Sequence, residues 1–399
     1  MATAAVLPPS PPANGIASSK LELSAGSHFA ALDGYRAIAA LMVVVTHVAY
    51  TTGFVVTGTL GHVLGRFDFG VPLFFLMSGF LLYRPWVRAA FEGRARPDLR
   101  RYAIRRAARI LPLYWVVLVV TLWLFPEIQP VAGRQWVVHL LGLQIYQSQG
   151  ALEGLTQTWS LCTEMSFYLL LPLLGALVVG RGRPRSLEAA WRRQQVLLLS
   201  LVLVAVVFLG LRAWTEALPH QAGWWLPAYL DWFAGGMLLA VVEVRRRLPR
   251  PPRTVVVLDR VGREGRTCLV VAGALFAISV TPVGGAYDFT PTAPWETMFK
   301  HGLYLGAAFF LLLPGVTHAS AQWPRFLAAR VPSRVGLISY GIFLWHLVLL
   351  RTLMPAMGIS FFSGRTLWVM VIVVLVTIGV ASITYRAVER PAQLWAHRR

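Results

Sequence analysis

The chain has 399 residues, of which 56% are hydrophobic and only 14% are charged. So few charges exclude an ordinary soluble domain and predict an all-α polytopic membrane protein. The net charge of +20 would fit a nucleic-acid-binding protein, but the arginines lie in short clusters between apolar runs, as in cytoplasmic loops of membrane proteins. No nucleic-acid partner is therefore expected. Cys162 and Cys268 lie in or beside apolar runs, which favours neither a disulfide framework nor a metal site.

The first 28 residues are rich in Ala, Pro and Ser and differ in composition from the rest of the chain. They lack the basic segment and the apolar core of a signal peptide, so residues 1–28 are expected to form a disordered cytoplasmic tail. Residues 29–391 are expected to form a single membrane domain. Residues 392–399 are expected to form a basic cytoplasmic tail.

Ten apolar runs are long enough, or nearly so, to cross a bilayer as helices. They are residues 30–51, 69–87, 110–125, 159–180, 195–213, 224–243, 267–281, 301–318, 335–351 and 365–386. The runs 110–125 and 267–281 are shorter than the roughly 17–25 residues of a spanning helix, so helix is expected beyond their edges. The sequence predicts about ten transmembrane helices.

An eleventh apolar run, residues 136–146, decides the orientation of the later helices. If it does not span, the arginine-rich segment 88–109 and the later basic loops all lie on one side. If it did span, those later loops would move to the opposite side. The positive-inside rule favours the first arrangement, with both termini cytoplasmic and with 136–146 as a re-entrant or interfacial segment. Such a segment needs a protein-lined cavity around it, which indicates an internal site.

The first apolar run carries three ionisable residues, with Asp33 and Arg36 near its start and His47 well inside it. Eleven helical steps of about 100° place Arg36 and His47 on the same face, roughly 16 Å apart along the axis. Ionisable groups inside a membrane helix are a hypothesis for a functional site. The alternative is an arginine that reaches the membrane interface and a histidine that bonds a backbone carbonyl.

Two further pairs of residues lie near the predicted cytoplasmic side. Ser78 and Gly79 are small enough for close helix contact, and helix packing is their favoured role. Arg106 and Arg109 are three residues apart and share a helix face. Two guanidinium groups in this position can clamp a phosphate. Ordinary positive-inside anchoring explains the same spacing.

Three more polar side chains lie inside apolar runs. Glu164 follows Trp159 at the start of the fourth span, and it must be paired or protonated because an unpaired buried charge is costly. An arginine or a histidine in the bundle is its expected partner, in a structural or a catalytic role. Tyr340 and His346 lie on the ninth span, so His346 gives the bundle a second intramembrane histidine besides His47.

Six motifs follow one another along the chain. They are Leu32-Asp-Gly-Tyr-Arg-Ala-Ile-Ala-Ala-Leu41 with His47, Phe74-Phe-Leu-Met-Ser-Gly-Phe80, Arg106-x-x-Arg109 with Ile-Leu-Pro-Leu-Tyr114, Trp159-Ser-Leu-Cys-Thr-Glu164, Ile338-Ser-Tyr-Gly-Ile-Phe-Leu-Trp-His346 and Glu389-Arg-Pro391. Together they make the chain resemble the integral-membrane acyltransferase family 3, which comprises bacterial multi-span O-acyltransferases. Tyr35 and Cys162-Thr163 depart from the residues common in that family, at positions where the chemistry is not disturbed.

The resemblance implies that an acyl group, commonly acetyl, passes from cytoplasmic acyl-CoA to a hydroxyl group. A histidine suits this chemistry because it can act as a base near neutral pH. His47 would be either a general base for direct transfer, which needs fewer steps, or an acyl carrier. The predicted site has catalytic His47, Arg36 and Glu164, donor-binding Arg106 and Arg109, and supporting Asp33, Ser78, Trp159, Tyr340 and His346.

The predicted function is therefore a multi-pass O-acyltransferase of the cell membrane, acting on a glycan, a glycolipid or a secondary-metabolite sugar. Acyl-CoA is the expected co-substrate, and no bound cofactor and no metal are expected. The lipid bilayer is a further partner, and a homodimer is possible. The alternative is a secondary transporter or exporter that uses buried Arg, Glu and His as a proton relay. The sequence shows none of the internal repeats that transporters often have.

Overall fold

The computed structural model describes residues 29–128, 133–147, 152–180, 186–215, 218–286, 293–318 and 321–399. All regular secondary structure in these ranges is helical, as predicted. The predicted tail 1–28 lies outside the described residues. The α-helices are α1 (Ala30–Thr51), α2 (Gly58–Gly65), α3 (Gly70–Glu92), α4 (Leu99–Leu124), α5 (Gly133–Leu141), α6 (Thr158–Val179), α7 (Leu187–Trp214), α8 (Leu230–Arg245), α9 (Arg253–Arg263), α10 (Gly265–Ser279), α11 (Pro294–Thr317), α12 (Gln322–Leu327), α13 (Arg330–Leu337), α14 (Ser339–Ala356), α15 (Thr366–Thr384) and α16 (Arg390–His397).

Eight helical segments of the described chain are long and apolar enough to cross a membrane. A ninth is the pair α13 and α14, which is bent by 63° at its junction. The shorter apolar helix α10 has 15 residues, so it is about 22 Å long against a hydrocarbon core of about 30 Å. These segments coincide with the ten predicted runs, and the all-α multi-span fold is confirmed.

Helix α4 extends well beyond its apolar run, as the length of that run predicted. The Asp98 side chain caps the helix by accepting hydrogen bonds from the backbone N–H groups of Arg100 and Arg101. A basic first half therefore continues directly into the apolar half of α4. This continuity fixes the position of Arg106 and Arg109 relative to the bundle.

The predicted non-spanning segment 136–146 contains most of α5. This helix has nine residues, which makes it about 13 Å long and too short to cross a bilayer. The segment is held against the bundle by hydrogen bonds. The Gln144 side-chain amide donates to Thr158 Oγ1 at 3.0 Å, and the Trp225 indole N–H donates to the Ile145 carbonyl at 2.8 Å.

Several helix termini meet at one end of the bundle. The Arg84 guanidinium near the end of α3 lies 5.1 Å from the ring of Phe29, which precedes α1. Its Nε also donates to the Glu243 carboxylate near the end of α8, at 2.7 Å. We call this end, where α1 begins and α3 and α8 finish, the arginine end. Helices α1 and α14 both finish at the opposite end.

Helix α1 packs against α3, α13 and α14, and α3 packs against α8 and α6. The contact between α3 and α8 depends on glycine, because a Cβ at Gly79 would collide with the Phe233 carbonyl and one at Gly236 with the Leu76 carbonyl. The packing role predicted for Gly79 is therefore confirmed. The predicted tail 392–399 lies largely in α16, which packs against α4.

Candidate active site

A cavity at the arginine end lies between α1, α3, α4, α6 and α14. The volume of this cavity is about 80 Å³. Its wall brings together six of the ten predicted site residues, which come from five helices: Arg36, Ser78, Arg106, Arg109, Glu164 and Tyr340. We call this space the arginine cavity.

Three of these wall residues are arginines, and their surroundings differ. Arg36 is paired within α1, since its Nη1 donates to Asp33 Oδ1 at 2.9 Å. Arg106 lies over the Tyr168 ring, with 5.7 Å between the guanidinium carbon and the ring centroid. In the part of the chain that the structure describes, neither Arg106 nor Arg109 has a carboxylate within 4.0 Å. The cavity therefore carries cationic groups that are available to an anion.

Glu164 is held by hydroxyl groups. Ser78 Oγ donates a hydrogen bond to Glu164 Oε1, and Tyr168 Oη donates to the same oxygen at 2.6 Å. The sequence predicted an arginine or a histidine as its partner. The described hydrogen bonds to Glu164 come instead from these two hydroxyls. Ser78 thus faces the cavity, while the neighbouring Gly79 faces α8.

Tyr340 joins α14 to α4 at the cavity wall, because its hydroxyl donates to the Ile110 carbonyl at 2.8 Å. A buried carboxylate, Glu389, lies nearby in the π-helical turn Tyr385–Glu389 that joins α15 to α16. Neither of its oxygens has a hydrogen-bond partner among the described residues, and its main electrostatic partner is Arg109. The Glu389 carboxylate and the Arg109 guanidinium therefore attract each other without forming a hydrogen bond or an ion pair.

The two intramembrane histidines, on helices far apart in the sequence, lie together. His47 on α1 and His346 on α14 have ring centroids 4.9 Å apart, with 3.3 Å between His47 Nδ1 and His346 Nε2. Each Nδ1 also lies 2.7 Å from a backbone carbonyl, that of Val43 for His47 and that of Phe343 for His346. A carbonyl can only accept a hydrogen bond, so both Nδ1 atoms carry the proton.

This tautomer assignment has a chemical consequence. His47 Nδ1–H points to both the Val43 carbonyl and the unprotonated Nε2 of His346. The remaining nitrogen, His47 Nε2, then carries the lone pair. No hydrogen bond occupies His47 Nε2 in the described residues. The Val43 carbonyl and His346 thus both hold the Nδ1–H side of the His47 ring, and the lone pair lies on the opposite nitrogen.

The histidine pair does not line the arginine cavity. Phe343 lies in the cavity wall, and its ring centroid is 6.2 Å from that of His346 and 6.3 Å from that of Phe74. These phenyl rings separate the cavity from the histidines. Arg36 and His47 also share no hydrogen bond or ion pair. Arg36 lies at the arginine cavity and His47 at the histidine pair, so the two residues belong to separate places along the axis of α1.

Besides His346, two more predicted supporting residues lie outside the cavity wall. Asp33 reaches the site through its ion pair with Arg36. Trp159 belongs to an aromatic cluster, with its ring centroid 5.3 Å from Tyr229 and 6.4 Å from Phe75. Trp159 therefore supports the start of α6.

Sequence reasoning missed two residues of the site. Tyr168 lies four residues after Glu164, and this i,i+4 spacing was the available signal that both lie on one helix face. Glu389 belonged to a recognised motif, but the π-helical turn that directs it inward has no sequence signature. No group of three or more His, Cys, Asp or Glu side chains suited to a metal occurs among the described residues.

Comparison with known proteins identifies the family. A family model described as "Acyltransferase domain" matches residues 29–386, which is nearly the whole chain. The chain belongs to acyltransferase family 3. The multi-span architecture and the motif order agree with this assignment, which also makes the protein a multi-pass membrane protein. No solved structure is detectably similar to the chain.

Several curated relatives are O-acetyltransferases of bacteria. The chain is 25% identical over 380 residues to O-acetyltransferase OatA of Staphylococcus aureus, covering 90% of this chain and 56% of the relative. It is 23% identical over 388 residues to peptidoglycan O-acetyltransferase OatA of Listeria monocytogenes, covering 90% and 55%. It is 25% identical over 386 residues to putative peptidoglycan O-acetyltransferase YrhL of Bacillus subtilis, covering 92% and 55%. The chain thus spans a little over half the length of these relatives.

Proposed function

We propose that this membrane acyltransferase moves an acetyl group from acetyl-CoA to a hydroxyl group of a cell-envelope glycan. One observation carries the proposal, namely the gathering of three guanidinium groups around one internal cavity, two of them without a carboxylate partner in the described chain. Arginine binds phosphate through paired hydrogen bonds. The phosphates of CoA supply the anionic partner that Arg106 and Arg109 lack among the described residues.

The arginine end is placed in the cytoplasm by the positive-inside rule, because the clustered arginines of segment 88–109 lie there. Acyl-CoA would then enter the arginine cavity from the cytoplasm, which is the compartment that the family resemblance implies for the donor. Its phosphates stay at Arg106 and Arg109, while its thioester extends inward along α1. The axial distance from Arg36 to His47, roughly 16 Å, suits such a long donor.

The histidine pair supplies the base. The acceptor hydroxyl oxygen attacks the thioester carbonyl carbon, and His47 Nε2 takes the hydroxyl proton. Collapse of the tetrahedral intermediate breaks the carbon–sulfur bond, and the proton passes from His47 to the CoA thiolate. The products are the acetyl ester and CoA. His346 acts as a positioning residue, since its Nε2 accepts from the His47 Nδ1–H that the Val43 carbonyl also holds.

Two further features of the site belong to this mechanism. Phe343 separates the arginine cavity from the histidines, so the donor's thioester must displace this ring to reach His47. Glu164, predicted as a catalytic residue, is bound by two hydroxyls. We assign it the role of holding the Tyr168 ring beneath Arg106, which keeps that guanidinium at the cavity wall.

The acceptor class follows the relatives, two of which are named for peptidoglycan O-acetylation. Because the chain spans only part of their length, we propose the sugar hydroxyls of peptidoglycan as the first acceptor to test. Family membership favours this enzymatic role over the alternative of a transporter with a proton relay.

The test is turnover of acetyl-CoA by the purified protein in lipid nanodiscs, with O-deacetylated peptidoglycan fragments as acceptor and CoA release as readout. His47→Ala should lower kcat at least 100-fold, because general-base catalysis contributes about 10²–10⁴-fold. His397→Ala is the matched control, since His397 is exposed at the chain's last helix. Wild-type turnover by a folded His47→Ala protein that still binds acetyl-CoA would contradict the role of His47.

A further inference from the structure

A second cavity lies at the end of the bundle opposite the arginine end. It offers about 600 Å³ of space between the end of α1, the second half of α14 and the loop that precedes α15. Thr51, Leu347 and Phe361 line it, one from each of these segments. We call it the opposite cavity.

The opposite cavity approaches the histidine pair closely. Its wall residue Thr51 donates a hydrogen bond to the His47 carbonyl at 2.7 Å. Thr51 lies four residues after His47, which corresponds to about 6 Å along the helix axis. Leu347, also in the wall, directly follows His346. The arginine cavity reaches the same pair from the other side, through Phe343. The histidines therefore lie between two cavities, about one helical turn from each wall.

The rim of the opposite cavity is built around Arg351. Its Nη1 donates to Glu153 Oε2 and its Nη2 donates to Glu127 Oε1, both at 2.9 Å. The guanidinium also stacks on Phe125, with 4.4 Å between its carbon and the ring centroid. The side chains of Glu127 and Glu153 remain 58% and 76% exposed. Among the described residues, the second oxygen of each carboxylate has no hydrogen-bond partner and can accept from a ligand.

This rim differs in chemistry from the arginine cavity. Two carboxylates surround one guanidinium, so the rim is net negative and repels the phosphates of CoA. Carboxylate oxygens accept hydrogen bonds from hydroxyl groups. Phe361, which is 65% exposed at the cavity wall, offers an aromatic face to the C–H face of a sugar ring. Hydroxyl acceptors beside an aromatic face are the chemistry of a saccharide site.

We propose that the opposite cavity binds the acceptor saccharide, with Glu127, Glu153 and Phe361 as its recognition residues. This inference rests on the proposed acyl transfer. The sugar enters from the side opposite to acetyl-CoA, and one of its hydroxyls reaches His47 Nε2. That oxygen forms the ester bond as the carbon–sulfur bond of the thioester breaks, and its proton passes through His47 to the CoA thiolate. Donor and acceptor thus meet at the histidine pair from opposite ends of the bundle.

The experiment measures two quantities for protein in nanodiscs. The first is direct binding, by calorimetry, of O-deacetylated peptidoglycan disaccharide fragments. The second is the KM for the same fragments in acetyl transfer. Glu153→Gln and Phe361→Ala should each weaken binding and raise the fragment KM about tenfold, the size expected for one hydrogen bond to a charged group or one lost stacking contact. The KM for acetyl-CoA should remain within twofold of its original value.

Matched controls come from elsewhere on the chain. Glu188→Gln removes an exposed carboxylate that pairs with one arginine, as Glu153 does, but lies at the start of α7. Trp295→Ala removes an exposed aromatic ring outside the opposite cavity. Both variants should bind the fragments like the original protein.

The outcomes separate the two proposals. Fragment binding that Glu153→Gln and Phe361→Ala weaken, without any acetyl transfer, supports the saccharide site and overturns the proposed function. Acetyl transfer with an unchanged fragment KM in both variants overturns the saccharide site and leaves the proposed function standing. No fragment binding by the unaltered protein also overturns the saccharide site.

Discussion

Two groups of arginines at the arginine end differ in what neutralises them. Around Asp259 on α9, Arg246 and Arg263 each lie within 3.1 Å of a carboxylate oxygen, and His318 Nε2 lies at 3.0 Å. In the arginine cavity, Arg106 and Arg109 have no such carboxylate among the described residues. The first group ties α8, α9 and α11 together. Under the proposed function, the second group leaves its charge for the phosphates of the donor, and this contrast distinguishes anchoring arginines from donor-binding ones.

The largest effect is expected when single arginines are removed from the two groups. Arg106→Ala and Arg109→Ala should each raise the Kd for acetyl-CoA about 10- to 100-fold, since each loses hydrogen bonds between charged groups. Arg263→Ala should leave this Kd unchanged. Isothermal titration of CoA into nanodisc-embedded protein measures all three. Equal Kd values for the Arg109→Ala, Arg106→Ala and Arg263→Ala proteins would reduce the arginine cavity to positive-inside anchoring.

A smaller effect should follow from the hydroxyls that hold Glu164. Ser78→Ala and Tyr168→Phe each remove one of its two hydrogen-bond donors. Each should lower kcat/KM for acetyl-CoA about fivefold, the effect of losing one hydrogen bond worth about 1 kcal/mol. The control is Tyr83→Phe, which removes a buried hydroxyl that donates to Gln194 instead. A fivefold loss in the Tyr83→Phe protein as well would show a general packing effect.

The smallest effect concerns stability in the Asp259 group. Burial alone would raise the pKa of Asp259, but the Arg263 hydrogen bond, the Arg246 charge and His318 outweigh it and hold that pKa below its usual value. A lowered folded-state pKa stabilises the protein above the unfolded pKa, and this contribution is lost as the pH falls through the folded value. At pH 7, Asp259→Asn should therefore lower the unfolding temperature by about 1–3 °C.

The pH dependence of this difference is the measurement that checks it. Thermal unfolding followed from pH 7 to pH 3 should show the gap between the original protein and Asp259→Asn closing as the carboxyl becomes protonated. Glu188→Gln, which breaks an exposed i,i+4 pair, should show a smaller gap at pH 7. A gap for Asp259→Asn that widens towards acid would contradict the assigned direction of the pKa shift.

The sequence predicted which residues gather at the candidate site because motif spacing on a helix is local information. The i,i+3 pair Arg106 and Arg109 had to share a face, and the structure places both at the cavity. The sequence could not identify the partners of Glu164, because Ser78 reaches it from another helix. It also could not show that Phe343 separates the histidines from the arginine cavity. Such contacts depend on how helices pack, which local spacing does not determine.

By itself, the sequence determined that the chain is a helical membrane protein, because apolar runs of spanning length allow few other structures in lipid. It also determined which face of α1 carries Arg36 and His47, since helical periodicity is fixed by backbone geometry. Only the tertiary structure decided that His47 meets His346, because their rings come from helices some 300 residues apart in the chain. The same packing placed this pair between two cavities of opposite charge, since each cavity is formed by side chains from several helices.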